Sequence, residues 1–113
     1  MIKQIIRIAE MAGNIVMSSY DDDRVNISLK KDKSPLTNAD IASNEYIVSE
    51  LKNYFSYPIL TEESPVSYNA RKSWTKFWLV DPLDGTKDFI EKNDEFTVNI
   101  ALINNHRPVL GVV

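Results

Sequence analysis

Trp78-Leu79-Val80-Asp81-Pro82-Leu83-Asp84-Gly85-Thr86-Lys87-Asp88-Phe89 is the stretch on which the reading of the fold turns. An apolar run ends abruptly in two carboxylates, a Pro, a Gly and a Thr, the pattern of a strand that delivers hard oxygen donors to one point. Upstream, Leu60-Thr61-Glu62-Glu63-Ser64 repeats the theme with a shorter apolar segment closing on acid. Glu62, Asp81 and Asp84 at the ends of two neighbouring strands would repel one another unless a cation lay between them. Pro82 restricts the backbone so that Asp81, Asp84 and the Leu83 carbonyl can face the same side of a tight turn. Oxygen donors of this kind suit magnesium, which keeps part of its water shell. Gly85 clears space, and the amides of Gly85 and Thr86 stand where a short helix begins, a place suited to an anion. Taken alone, Asp-Pro-x-Asp-Gly-Thr is an ordinary turn with a helix cap. The apolar strand before it and the second acidic motif favour a site.

Around that stretch the chain reads as a mixed α/β domain. Residues 2–18 place Ile2, Ile5, Ile6, Ala9, Ala12, Gly13 and Val16 at helical spacing. Asp21, Asp22 and Asp23 then read as a solvated helix stop rather than a metal cluster. Val25, Ile27 and Leu29 alternate as a strand, and a lysine-rich loop follows from Lys30 to Lys33. Thr37-Asn38-Ala39-Asp40 resembles a capping box for a second helix carrying Ile41, Val48, Leu51 and Phe55 on one face, closed by Pro58. Ile59 and Leu60 form a short strand, residues 63–73 a polar loop, and residues 75–81 a buried strand. Gly85 and Thr86 open a helix through Glu91. Phe96, Val98, Ile100 and Leu102 alternate along a long strand, and a turn at residues 104–108 leads into a return strand at 109–113. An apolar strand at the chain's end predicts an edge that invites pairing, hence self-association there.

The side chains carry different readings. Asp40 and Thr37 are explained by capping alone; a catalytic role for Asp40 in activating water requires a hydroxyl partner, such as Thr86, within hydrogen-bond reach. Glu62 should project toward the pocket, whereas alternation turns Glu63 away into solvent or a supporting role. Lys87 in the first turn of a helix opposes the dipole, which leaves two readings open: a nearby anion or a plain surface lysine. His106 reads as exposed, Trp74 and Trp78 as core, and Ser64 has no adjacent base.

Composition narrows the classes. The 113 residues suffice for one domain; 43% are hydrophobic and 10% aromatic, which fits a folded globular chain. The absence of cysteine excludes disulfides, thiolate metal sites and cysteine nucleophiles. No apolar run is long enough for a membrane span, and the N-terminal helix, with Lys3, Arg7 and Glu10, lacks a signal-peptide core, so the sequence reads as cytoplasmic. A net charge of −3 argues against nucleic acid as a partner, though not against a small phosphorylated substrate.

Ser34-Pro35-Leu36-Thr37-Asn38-Ala39-Asp40, Glu62-Glu63-Ser64 and Asp81-Pro82-Leu83-Asp84-Gly85-Thr86 together resemble the inositol monophosphatase superfamily of lithium-sensitive, magnesium-dependent phosphatases. Residues 81–89 followed by Glu95-Phe96-Thr97-Val98-Asn99-Ile100-Ala101-Leu102 resemble its CysQ-type 3'(2'),5'-bisphosphate nucleotidases, where inositol phosphatases usually carry Thr-Asn in place of Lys87-Asp88. The resemblance implies the N-terminal, metal- and phosphate-binding part of a layered α/β/α/β/α sandwich over residues 1–113, with mainly antiparallel sheet and two long helices. It implies that Glu62, Asp81, the Leu83 carbonyl and Asp84 bind magnesium, two or more ions, open to lithium inhibition. Glu62, Leu83, Asp84, Gly85 and Thr86 would contact substrate, with the amides of Gly85 and Thr86 on the phosphate. Asp40 and Thr86 would orient and deprotonate the attacking water, with Glu62 also touching it, for direct in-line hydrolysis.

The implied reaction converts adenosine 3',5'-bisphosphate to AMP and phosphate, a step serving sulfate assimilation. Family members are longer, and their second half supplies another metal-binding Asp, so a polypeptide ending at Val113 is expected to turn over weakly or not at all. An inositol or sugar phosphate as substrate, and a non-catalytic remnant, are the alternatives.

Overall fold

The computed structural model describes residues 1–20, 27–29 and 35–113. The expectations for Asp21–Asp23, Val25, the loop from Lys30 to Lys33, and Ser34 lie outside the described residues. In chain order the elements are α1 (Ile2–Tyr20), β1 (Ile27–Leu29), β2 (Pro35–Thr37), α2 (Asn38–Tyr54), β3 (Ile59–Thr61), α3 (Tyr68–Arg71), β4 (Lys76–Asp84), α4 (Thr86–Glu91), β5 (Thr97–Asn104) and β6 (Arg107–Val112). β1 and β2 pair as an antiparallel ribbon. The main sheet runs β3-β4-β5-β6, with β3 parallel to β4 and the other neighbours antiparallel. This is the mixed α/β class with two long helices and a mainly antiparallel sheet that the sequence led us to expect.

Helices α1 and α2 pack on one face of the sheet. Their core joins Ile5, Ile8, Ala12, Ile47 and Leu51 to Trp78, Val80, Ile100 and Leu102. The alternation read in β5 holds, with Ile100 and Leu102 buried and Val98 packed against them. The helical faces differ from expectation. In α1 the buried stripe is Ile5, Ile8, Ala12 and Val16, and Ile2 and Ile6 are exposed. In α2 the inward face is Ala39, Asp40, Ser43, Ile47 and Leu51, while Ile41 is 45% exposed. The N-terminal half of that face is polar because it meets hydrogen-bonding partners rather than hydrocarbon, so a search for apolar periodicity misplaces it. β4 is buried on one face only: Trp78 and Val80 point inward, and Leu79 is 43% exposed.

Within the span read as a polar loop, Ser67 caps the single turn α3 by accepting from the Ala70 amide. The turn after β5 uses left-handed Asn105 and His106, and His106 is exposed. A second, smaller core of Val16, Ala39, Leu83 and Phe89, bordered by Tyr20, Ile90, Phe96 and Val98, lies where α2 begins and β4 passes into α4. It anchors the residues discussed next.

Candidate active site

Thr37 caps α2, and its capping box is complete. Its hydroxyl accepts from the Asp40 amide at 3.3 Å, while Asp40 Oδ2 accepts from the Thr37 amide at 2.9 Å and from the Thr37 hydroxyl at 2.5 Å. That leaves Oδ1 to point away from its own helix. It accepts from Thr86 Oγ1 at 2.9 Å, across 46 residues of sequence. Asp40 is fully buried, so each of its oxygens is occupied by a donor, as a buried carboxylate requires. The hydroxyl partner that a catalytic Asp40 would need is present.

Thr86 sits at the start of α4 because Gly85, at φ 87° and ψ 44°, turns the chain through the left-handed region. A side chain at Gly85 would force the neighbouring backbone to shift. Its Cβ would lie 2.6 Å from the Glu95 carbonyl oxygen, so the loop before β5 presses directly on this turn. Ser43, one turn along α2 from Asp40, donates to the Pro82 carbonyl at 2.7 Å and ties the helix to the Asp-Pro-Leu-Asp segment.

The acidic side chains arrive differently. Glu62 follows β3, and its amide donates to the Val80 carbonyl at 3.1 Å, continuing the parallel ladder in which Thr61 faces Val80. Glu62 and Asp81 therefore follow paired positions on neighbouring strands. Asp84 reaches the same side through an irregularity: the step from Asp81 to Asp84 spans three residues on β4, whereas the step between their partners, Asn99 and Thr97, spans two on β5. Side chains alternate with period two, so on a regular strand Asp81 and Asp84, three residues apart, would face opposite sides of the sheet. The bulge restores the phase.

Asp81 is half-buried and its Oδ1 accepts from the Leu83 amide at 3.3 Å, while Glu62 and Asp84 are exposed. The Leu83 carbonyl, which lies 3.3 Å from the Thr86 hydroxyl, adds an oxygen donor. Glu62 and Asp81 border a depression of about 290 Å³ that Asn99 also lines. The donor types, the carboxylates of Glu62, Asp81 and Asp84 and the Leu83 carbonyl, fit the chemistry of magnesium. Among the described residues, however, no three acidic, histidine or cysteine side chains are gathered closely enough to enclose an ion as the chain stands. Glu63, expected to be solvated or supporting, is half-buried, its amide 3.4 Å from the Thr61 hydroxyl. Lys87 is exposed.

Sequence reasoning missed Ser43 and Asn99. Ser43 is polar on the inward face of a helix, which periodicity flags, whereas Asn99 takes the outward position that alternation allots to a polar residue, so the sequence carries no signal for it.

The family model described as the inositol monophosphatase family matches residues 1–113. The chain belongs to that family. A curated relative, the 3'(2'),5'-bisphosphate nucleotidase CysQ of Escherichia coli (strain K12), is 46% identical over 115 residues that cover 100% of this chain and 47% of that protein. Among solved structures, CysQ from Bacteroides thetaiotaomicron, titled a bacterial member of the inositol monophosphatase family, is 46% identical with a TM-score of 0.82. The match covers 97% of this chain and 40% of that one. An IMPase/NADP phosphatase complexed with Mg2+ and phosphate matches at a TM-score of 0.72 and 19% identity over 95% of this chain and 39% of that one, a likeness of fold. The chain spans about half the length of the curated relatives it matches. Among the described residues no helix is long and apolar enough to cross a membrane.

Proposed function

We propose that this chain carries the water-activating and metal-binding end of a magnesium-dependent phosphomonoesterase acting on adenosine 3',5'-bisphosphate, with AMP and phosphate as products. The observation that supports the catalytic part is the 2.9 Å hydrogen bond from Thr86 Oγ1 to Asp40 Oδ1. A threonine hydroxyl that gives its proton to a buried carboxylate keeps a lone pair to accept a proton from water. In the proposed step a water proton passes to Thr86 Oγ1 as the Thr86 proton passes to Asp40 Oδ1. The water oxygen then attacks phosphorus in line, and the bond from phosphorus to the 3' oxygen breaks with its electron pair leaving on that oxygen, which takes a proton from solvent water while Asp40 gives back the proton it received through Thr86. Thr37 holds Asp40 by its other oxygen, so the carboxylate cannot rotate away from Thr86.

Glu62, Asp81, the Leu83 carbonyl and Asp84 would hold magnesium, with more than one ion in the active protein. Bound there, the metal would neutralise phosphate charge and lower the pKa of water. Magnesium typically takes one or two carboxylates and keeps several waters, so it does not require a closed cage of side chains. The amides of Gly85 and Thr86, and Glu62, Leu83 and Asp84 beside them, would meet the phosphate. The nucleotide substrate is supported by the bisphosphate nucleotidases at 46% identity and by Lys87-Asp88 in the motif.

The test is phosphate release by the purified protein from adenosine 3',5'-bisphosphate and from inositol monophosphate, each with magnesium and after chelation. Any release is expected to be weak in the 113-residue chain, magnesium-dependent and in favour of the nucleotide, and Thr86→Val, placed in the chain extended to its relatives' full length, should lower it about 100-fold or more. A preference for inositol phosphate would overturn the substrate assignment. Release indifferent to chelation would overturn the metal assignment.

A further inference from the structure

We infer that Asn99 is a positioning residue for the metal-binding carboxylates, holding Asp84 on the side of the sheet where Asp81 and Glu62 stand. The inference rests on the magnesium reading proposed above and deepens it.

Asn99 is the register partner of Asp81 across the β4–β5 pair, on the far side of the bulge from Asp84. Its Nδ2 donates to Asp84 Oδ2 at 3.3 Å, and its Oδ1 accepts from Thr97 Oγ1 at 3.0 Å. Thr97 is in turn the register partner of Asp84. The two bonds fix the amide in one orientation. An ionised carboxylate only accepts, so the nitrogen must face Asp84, and the amide oxygen then takes the Thr97 hydroxyl.

The side chain type matters as much as its place. Asp84 is exposed at the end of a strand, beyond a bulge that frees it from the regular ladder, so little else limits its rotamers. A neutral donor restrains the carboxylate without adding a fourth negative charge to Glu62, Asp81 and Asp84. A lysine there would compete with a cation, and an aspartate would give Asp84 no donor. Asn99 also borders the depression lined by Glu62 and Asp81, so it links Asp84, through its amide, to the place where the other two acids stand. Hydrogen-bond partners of metal-ligating side chains typically account for about 10–100-fold in metal affinity.

The test is Mn2+ binding, followed by the loss of the free-ion electron paramagnetic resonance signal, alongside thermal unfolding. Mn2+ serves as the probe for an oxygen-donor magnesium site. We expect Asn99→Ala to weaken Mn2+ binding about 10-fold with an unchanged unfolding midpoint. Thr97→Val, at an exposed position, should weaken it by a smaller factor because the amide then loses its orienting hydroxyl; this variant decides the matter if Asn99→Ala does not fold. Equal Mn2+ affinity in the wild type and a folded variant would overturn the role of Asn99 and leave the magnesium reading standing. No Mn2+ binding by the wild type would overturn that reading instead, and this inference with it.

Discussion

Asp40 and Asp84 are both acids beside the same short helix, yet the fold treats them in opposite ways. Asp40 is fully buried and each of its oxygens is engaged, by two groups of Thr37 on one side and by Thr86 on the other. Asp84 is exposed and its hydrogen bond to Asn99 is long, at 3.3 Å. The contrast divides the site into a rigid half, built into the packing of α2 against β4 and α4, and an adjustable half at the strand tips. Rigidity suits groups that must hold a proton at a set distance. Adjustability would suit acids that, as proposed, close on a cation.

That division can be broken most severely at Asp40. Asp40→Ala strands the Thr37 amide and hydroxyl in a buried place, takes from Thr86 the nearer of its two acceptors and removes half of the capping box. We expect a loss of about 3 kcal/mol, read as a lower midpoint in denaturant. A loss below about 1 kcal/mol would mean that the pocket is far looser than its hydrogen bonds imply.

Gly85→Ala comes next, at about 2 kcal/mol. The residue would have to hold φ 87° with its Cβ 2.6 Å from the Glu95 carbonyl, and that backbone oxygen cannot swing aside as a side chain would. Thermal unfolding measures the loss, and a variant as stable as the wild type would show that the 93–96 loop does not brace the turn.

The smallest effect on stability belongs to the adjustable half. Glu62→Gln and Asp84→Asn should leave the unfolding midpoint where it was, since surface changes seldom alter folding. Both should weaken Mn2+ binding. If either variant lowered stability as Asp40→Ala does, the contrast between the two halves would disappear.

Much of this site is legible in the sequence. Thr37 and Asp40 announce a capping box through residue type and spacing, and the structure forms it. The start of α4 follows from Gly85 and Thr86. Less legible were the inward faces of the helices. Ile2, Ile6 and Ile41 are apolar and exposed, whereas Asp40 and Ser43 are polar and buried. Periodicity finds faces by hydrocarbon content, and the face of α2 is selected by hydrogen bonds to Thr86 and to the Pro82 carbonyl.

The order of elements, the cap on α2, the alternation in β5 and the family motifs were set by the chain alone, because each depends on residues within a few positions of one another. The Asp40–Thr86 bond, the phase-restoring bulge between Asp81 and Asp84, and the reach of Asn99 to Asp84 were decided only in three dimensions. Each joins segments whose separation along the chain carries no local preference, and strand register together with helix docking brings them within hydrogen-bond distance.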